Sequence, residues 1–144
     1  MMKLTPLLSA LLLVAVNGSH YEKPPCQSDE KAVQIMGVEG IFCSPLCSDA
    51  GKCPMDVPDG VTAAPSCALK APTGEGYCAI LCSAGNENEN GLRGVVVGAG
   101  QCGPKMTCSP IPNSGGLGLC DYSESQQLMV DMNSVIQVGV ATVD

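Results

Sequence analysis

The chain has 144 residues and a formal net charge of −7 at pH 7. This length suits a single domain, and the excess of acidic residues excludes binding of nucleic acid or anionic lipid through a polybasic surface. Aromatic residues make up only 3% of the chain, whereas ten residues are cysteine. We therefore expect a thin hydrophobic core that depends on disulfide bonds for its stability.

Residues 1–18 have the pattern of a secretory signal peptide. Lys3 precedes an apolar run over residues 5–16, and small or compact residues surround the expected cleavage point, after Gly18 or Ser19. The run is about 12 residues long, whereas a membrane-spanning helix needs roughly 20. We expect a secreted, extracellular protein with no membrane span once the signal has been removed.

Residues 19–41 are a polar arm followed by an apolar segment. Cys26 tethers the arm, and residues 32–42 are largely apolar. Glycine lowers the stability of a helix, so Gly37 and Gly40 argue against one here. We predict one short strand that leads into the cysteine-rich region.

Residues 42–122 contain one cysteine pattern twice, in repeats 42–69 and 77–122. Each copy opens with an aromatic residue and a Cys-x3-Cys pair, continues with Ala-Gly-x-Cys, and closes on a further cysteine. The matching cysteines are Cys43, Cys47, Cys53 and Cys67 in the first copy and Cys78, Cys82, Cys102 and Cys120 in the second. The pattern predicts two tandem cysteine repeats in one disulfide-rich domain.

The even number of cysteines, together with the secretory signal, favours five disulfides. A zinc site is the alternative, but the close pairs are Cys-x3-Cys rather than Cys-x2-Cys. The count does not fix the connectivity. As a hypothesis from the repeat, each set of four cysteines pairs within itself, which leaves Cys26 to pair with Cys108.

Proline and glycine mark turns between the cysteines. Residues 58–60 and 72–74 each combine a proline that presets φ with a glycine that accepts positive φ. Asn90 and Gly91 predict a tight hairpin turn before a short strand at residues 95–97. The domain should therefore consist of short β-hairpins and long loops.

Residues 123–144 are an apolar tail without cysteine. Met132 and Ile136 lie on one face of the only candidate helix in the fold, whereas Ile136, Val138 and Val140 alternate as they would in a strand. We expect the tail to dock on the cysteine-rich core, because apolar segments are stabilised by burial. The alternative is an exposed tail that binds a partner or self-associates.

Few residues are suited to catalysis. The only histidine, His20, lies beside the expected cleavage point, so a histidine-dependent triad is not expected. Two carboxylates can hydrolyse glycosides, and the candidates in loops are Asp49, Asp56, Asp59 and Glu75. No setting that would raise a carboxyl pKa is recognisable, so solvated turn carboxylates are the preferred interpretation. We predict no catalytic residue, and we rank a small carboxylate-dependent hydrolase third among the functions.

Residues 86–91 resemble the first half of a calcium loop. Asn86, Asn88 and Asn90 alternate with glutamates, and glycine is sixth. The twelfth position is Val97 rather than the bidentate glutamate that such loops require. An exposed polar loop is the preferred interpretation and a weak calcium site the alternative, so we predict no metal and no cofactor.

Two loops are candidates for contact with a protease. Arg93, the only arginine, precedes Gly94 in the longest loop between cysteines. A disulfide-clamped loop that presents one basic residue is a common way to inhibit trypsin-like proteases, because its rigidity reduces the entropy lost on binding. The proline-rich residues 54–65 would present Met55 to a different protease. An ordinary exposed arginine is the preferred interpretation, and protease inhibition is the second-ranked function.

Two segments, residues 47–53 and 102–108, resemble parts of small secreted modules of the four-disulfide whey-acidic type, which include protease inhibitors. Those modules carry an adjacent Cys-Cys pair that this chain lacks. The sequence Cys-Pro-Met-Asp-Val-Pro-Asp-Gly at residues 53–60 also resembles a recurrent cysteine-rich domain of secreted algal and protist proteins, a likeness that covers most of residues 42–122. Both resemblances imply a small secreted module, and neither transfers a functional residue.

The whole chain therefore predicts a small, acidic, disulfide-rich fold of two tandem repeats with short β-hairpins and little helix. We expect it to act without catalysis outside the cell or at its surface. Its partner would be an extracellular protein or a matrix or cell-wall component, or its role would be structural. Carbohydrate binding is less favoured, because few aromatic side chains are present to stack on sugars.

Overall fold

The computed structural model describes residues 18–84, 101–122 and 131–141. Within these ranges seven strands form one curled sheet, and the helical content is a single 3-10 turn at Met132–Ser134. The strands are β1 (Glu30–Ile35), β2 (Phe42–Pro45), β3 (Pro65–Lys70), β4 (Gly76–Ser83), β5 (Thr107–Pro110), β6 (Leu117–Asp121) and β7 (Ile136–Val140). The prediction of a small disulfide-rich β fold with little helix is confirmed. Among the described residues, no helix has the length and apolar character needed to cross a bilayer.

The strands follow the order β2-β1-β7-β3-β4-β6-β5. All neighbours are antiparallel except β1 and β7, which are parallel. Two isolated bridges, Leu46 to Tyr77 and Ile41 to Tyr122, connect the region of β2 to β4 and β6 across the sheet. These bridges require the sheet to curl, which brings the region of β2 against β4 and the end of β6.

The core is enclosed by this curl. Phe42 of β2 and Leu119 of β6 are fully buried in the same apolar cluster as Val33 and Val138 of the central strands. Burying a side chain of this size contributes about 1.5–3 kcal/mol each. Large apolar side chains are few, so the disulfides must supply much of the remaining stability.

The prediction of one strand over residues 32–42 is incomplete, because this segment contains a hairpin. Strands β1 and β2 pair antiparallel, with Ala32 opposite Cys43. Gly37 lies in the turn with a φ of 83°, and the amide of Val38 donates to the carbonyl of Ile35 at 3.0 Å. Gly37 thus reverses the chain, a role that goes beyond the expected exclusion of a helix.

Both proline-glycine turns in the described part of the chain are confirmed. Gly60 has a φ of 84°, and the amide of Val61 donates to the carbonyl of Pro58 at 3.1 Å. Gly74 has a φ of 94°, and its amide donates to the carbonyl of Ala71 at 2.9 Å. These turns follow from the residues themselves, which is why the sequence predicts them. The turn expected at residues 90–91 and the strand at 95–97 lie outside the described residues.

The described residues of the tail, 131–141, dock on the rest of the domain through strand β7. Strand β7 lies between β1 and β3, with Val138 opposite Ile35 and Val140 opposite Leu69. Val138 is fully buried. The alternating apolar pattern therefore predicts the structure of these residues better than the helical one, because a strand between two partners satisfies its backbone on both sides.

All ten cysteines form disulfides, as predicted. The bonds are Cys26–Cys43, Cys47–Cys67, Cys53–Cys78, Cys82–Cys108 and Cys102–Cys120. Two groups of three cysteine sulfurs lie within 4.8 Å of one another, but each sulfur is already bonded and is not a thiolate ligand.

The predicted grouping of the disulfides is wrong. Cys26 pairs with Cys43 instead of Cys108, and Cys53 pairs with Cys78, which joins the two sets that the sequence kept apart. The reason is the register of the sheet. Cys43 ends up beside the arm that carries Cys26 because the hairpin folds β2 back along β1.

Candidate functional site

Tyr21 anchors the N-terminal arm (residues 19–29) to the rest of the molecule. Its side chain is fully buried, its amide donates to Oε1 of Glu30 at 2.8 Å, and its hydroxyl donates to the carbonyl of Pro54 at 2.9 Å. Its φ of 66° lies in the left-handed region, which costs a non-glycine residue about 1 kcal/mol. The burial and the two hydrogen bonds offset this cost and fix the arm against the loop that follows Cys53.

Glu30 is a buried carboxylate that closes the base of the arm. Its oxygens accept from the amides of Tyr21 at 2.8 Å and Gln27 at 3.4 Å. Burial raises the pKa of Glu30, and the two backbone hydrogen bonds oppose that rise. The residue therefore has a structural role in this part of the chain.

His20 lies between two aspartates. Its Nδ1 is 2.7 Å from Oδ1 and 2.8 Å from Oδ2 of Asp56, and its Nε2 is 3.2 Å from Oδ2 of Asp29. Burial of the ring lowers the pKa of His20, but the hydrogen bonds to Asp29 and Asp56 and the negative charges of Asp56 and Glu30 outweigh it, so the net pKa is raised. The hydrogen bond from His20 lowers the pKa of Asp29. At Asp56, burial is the largest single effect and raises the pKa, but the hydrogen bonds and the charge of His20 together outweigh it, so the net pKa is lowered. The sequence did not predict this cluster, because His20 and Asp56 are 36 residues apart.

Met55 projects from a segment that is fixed on both sides. We call residues 54–57 the Met55 segment. Before Met55, the carbonyl of Pro54 accepts from Tyr21; after it, the carbonyl of Asp56 accepts from the amide of His20 at 3.1 Å. The amide of Val57 closes a tight turn on the carbonyl of Met55 at 3.1 Å. The side chain of Met55 is nevertheless 67% exposed.

The same loop is also anchored at its ends. Cys53 is bonded to Cys78 of the central strand β4. At the other end, the amide of Thr62 donates to the carbonyl of Gln101 at 3.0 Å. A Cβ on Gly103 would lie 2.7 Å from the carbonyl oxygen of Asp59, so the loop packs directly on the backbone there. The Met55 segment is thus presented by a rigid support.

A cleft of about 170 Å³ lies beside this loop. Glu22, Asp59, Lys105 and Tyr122 contribute its polar groups, and the hydroxyl of Tyr122 donates to Oε2 of Glu22 at 3.4 Å. Ligand pockets usually measure about 300–1,000 Å³, so this cleft accommodates no more than a single side chain or a comparably small group.

The four carboxylates considered for hydrolysis do not share one setting. Asp56 bonds His20, and Asp59 lines the cleft. Asp49 is exposed in a separate turn. Glu75 is exposed beside β4 and accepts from the hydroxyl of Tyr77 at 3.3 Å. Asp56 is therefore more than the solvated turn carboxylate that we expected, because it forms part of the support of the Met55 segment.

A second buried carboxyl group lies at the end of β6. Asp121 is 1% exposed, and the hydroxyl of Ser109 donates to its Oδ1 at 2.8 Å, while its Oδ2 has no hydrogen-bond partner among the described residues. The carboxyl group lies against Gly40, where any Cβ would collide with it. Burial raises the pKa of Asp121 to about 6.

The remaining candidates from the sequence fall outside the described residues. These are the second inhibitor loop with Arg93 and Gly94 and the weak calcium candidates Asn86, Asn88 and Asn90. Both stay predictions.

Comparison with protein-family models, with curated proteins and with solved structures gave no match for this chain.

Proposed function

We propose that this protein is secreted and acts without catalysis, by binding an extracellular protein or a matrix or cell-wall component through the Met55 segment. The observation that carries the proposal is the 67% exposure of Met55 between two neighbours that are hydrogen-bonded to the arm. Exposing a large apolar side chain on a fixed support reduces the entropy lost on binding, so such a residue is suited to be an anchor in an interface. Five disulfides are compatible with an extracellular location.

The test compares two exposed methionines. The secreted protein is labelled and incubated with extracellular matrix and cell-wall preparations, and saturable binding is measured for wild type, Met55→Asp and Met36→Asp. Met36 is the matched control, because it is 61% exposed and lies after β1, outside the loop. Met55→Asp should weaken binding at least tenfold while Met36→Asp leaves it unchanged. Equal binding by all three proteins would refute the assignment of the surface.

The same geometry favours protease inhibition as a second candidate function. A protease inhibitor must present one side chain to the primary pocket and resist being cleaved, which requires a loop held on both sides of that side chain. Met55 meets this condition through Tyr21, His20 and the Cys53–Cys78 bond. Methionine suits a protease with an apolar primary pocket. The proposed resemblance to whey-acidic modules points the same way.

Stoichiometric inhibition assays distinguish this candidate from general binding. We expect the protein to slow endopeptidases that cleave after large apolar residues, and expect Met55→Lys to shift inhibition towards trypsin-like enzymes. Prolonged incubation should leave the bond after Met55 mostly intact. Rapid cleavage at that bond, or no inhibition of either class at equimolar protein, would exclude the inhibitor function and leave the binding function untouched.

We also propose a tandem organisation with boundaries different from those first predicted, at residues 47–78 and 82–120. In each of these stretches the first cysteine pairs with the third and the second with the fourth. The third lies opposite the fourth on antiparallel strands, as Cys67 does with Cys78 and Cys108 with Cys120. A glycine two residues before the fourth cysteine packs on the first disulfide in both stretches.

A further inference from the structure

The two ring nitrogens of His20 both face carboxylate oxygens. Nδ1 lies 2.7 Å from Asp56 and Nε2 lies 3.2 Å from Asp29. An ionised carboxylate only accepts hydrogen bonds, a neutral imidazole carries one N–H, and an imidazolium carries two. Both contacts are therefore hydrogen bonds at the same time only when His20 is protonated.

The surroundings of the ring are acidic on each element that packs against it. Asp29 and the buried Glu30 lie at the end of the arm and the start of β1, and Asp56 belongs to the Met55 segment. The ring of Tyr21 is the neighbouring aromatic group, with centroids 6.2 Å apart. This arrangement of charges stabilises the imidazolium form.

We propose that His20 is a positioning residue whose ring bridges Asp29 on the arm and Asp56 in the Met55 segment only while the ring is protonated. Its protonated ring bonds Asp29 on the arm and Asp56 directly after Met55, so it ties the exposed methionine to the support. The neutral ring keeps at most one of these bonds and loses its charge attraction to both aspartates. The Met55 segment is then held by Tyr21, by the backbone bond from His20 to Asp56 and by Cys53, and it gains freedom at its Asp56 side.

The direction of the pH dependence follows from linkage. The pKa of His20 is raised in the folded protein, so the stabilisation is complete below the unfolded value of about 6.5 and is lost as pH rises through the folded value. The Met55 segment should therefore be most ordered in mildly acidic surroundings. One consequence of the inference rests on the proposed function: binding through Met55 should weaken as pH rises above neutral.

A single histidine makes the test direct. In the secreted protein, with its N-terminus established by mass, the Hε1 resonance of His20 and the methyl resonances of Met55 and Met36 are followed by NMR from pH 5 to 9. We expect the His20 midpoint to lie above 6.5 and to fall towards about 6.5 in Asp56→Asn and in Asp29→Asn. The Met55 methyl should titrate with the same midpoint, and the Met36 methyl should not move.

His20→Gln is the decisive variant. Glutamine keeps a polar side chain at this position but does not titrate, so the Met55 methyl should become independent of pH in this protein. A Met55 methyl that titrates equally in His20→Gln would overturn the inference and assign the titration to another group, such as a terminal amine. A Met55 methyl that ignores the titration of His20 in wild type would overturn it as well.

The outcome is separable from that of the proposed function. These spectra need no partner, so the link between His20 and Met55 is supported or refuted even if Met55→Asp binds like wild type. Conversely, binding that depends on Met55 but is the same at pH 6 and pH 8.5 would support the binding surface and contradict the role of His20.

Discussion

The hydroxyl of Tyr21 donates a hydrogen bond of 2.9 Å to the carbonyl of Pro54, the residue directly before the exposed Met55. Through this bond a fully buried side chain of the arm fixes the backbone of a surface loop 33 residues away. The adjacent residue, His20, bonds Asp56 on the other side of Met55. Two consecutive arm residues thus hold both neighbours of the one exposed methionine in this loop.

We predict that Tyr21→Phe lowers the free energy of unfolding by about 1 kcal/mol, because it removes one hydrogen bond without changing the buried ring. Tyr77→Phe is the matched control. Its hydroxyl bonds the exposed Glu75 at 3.3 Å, so its loss should cost less. Denaturant unfolding measures both. A Tyr21→Phe protein as stable as wild type would show that the bond to Pro54 makes no net contribution.

Non-reducing peptide mapping should find Cys26 joined to Cys43 and Cys53 joined to Cys78. The Sγ atoms of Cys78 and Cys47, which belong to different bonds, are 3.9 Å apart, so digestion should be done at low pH to prevent exchange. A bridge between Cys26 and Cys108 would contradict the structure and restore the pairing first expected from the sequence.

The Cys53–Cys78 bond should stabilise the protein by about 3–4 kcal/mol, given that the two cysteines are 25 positions apart in the sequence. We predict that the double variant Cys53→Ser, Cys78→Ser loses this amount in thermal or denaturant unfolding. The variant should also be cleaved faster by added protease within the Met55 segment than the corresponding Cys26→Ser, Cys43→Ser protein. Equal cleavage rates would mean that the bond does not restrain the loop.

Asp121 should make the protein less stable as pH rises from about 4 to about 6. The pKa of Asp121 in the folded protein, about 6, is above its value in the unfolded chain, so burial disfavours the ionised carboxylate. The folded state therefore loses stability as Asp121 ionises, and this loss of stability is complete above pH 6. The full effect is at most roughly 2–3 kcal/mol. In Asp121→Asn this part of the pH dependence should disappear, and in Ser109→Ala it should extend to higher pH, because the hydroxyl that stabilises the carboxylate is gone. Unfolding free energies of the three proteins from pH 4 to 8 check this, and parallel curves would contradict it.

Gly118→Ala and Gly76→Ala should both destabilise the protein if the glycines pack on disulfides as proposed. A Cβ on Gly118 would lie 2.6 Å from the sulfur of Cys108, and one on Gly76 would lie 3.2 Å from those of Cys47 and Cys67. We expect a loss of about 1–3 kcal/mol for Gly118→Ala and a smaller loss for Gly76→Ala. Gly139→Ala is the control, because the nearest atom there is at an ordinary 3.8 Å. Tolerance of alanine at Gly118 would contradict the shared packing.

The sequence by itself determined the features that depend on neighbouring residues or on simple counts. The even number of cysteines, ten, implied five disulfides. The turns at residues 58–60 and 72–74 followed from proline and glycine, whose φ preferences are local. The alternation of Ile136, Val138 and Val140 indicated strand β7. A competing helical pattern in the same segment left the choice between strand and helix open.

Only the tertiary structure decided which residues meet across long separations. The connectivity of the cysteines depends on how β2 folds back on β1 and on the order of the strands in the sheet, in which β7 lies between β1 and β3. The spacing of the cysteines along the chain carries no information on either feature. For the same reason His20 appeared to be an isolated residue beside a cleavage point, and Asp56 a solvated carboxylate. The curled sheet brings them within 2.7 Å of each other, because it places the N-terminal arm against the loop after Cys53.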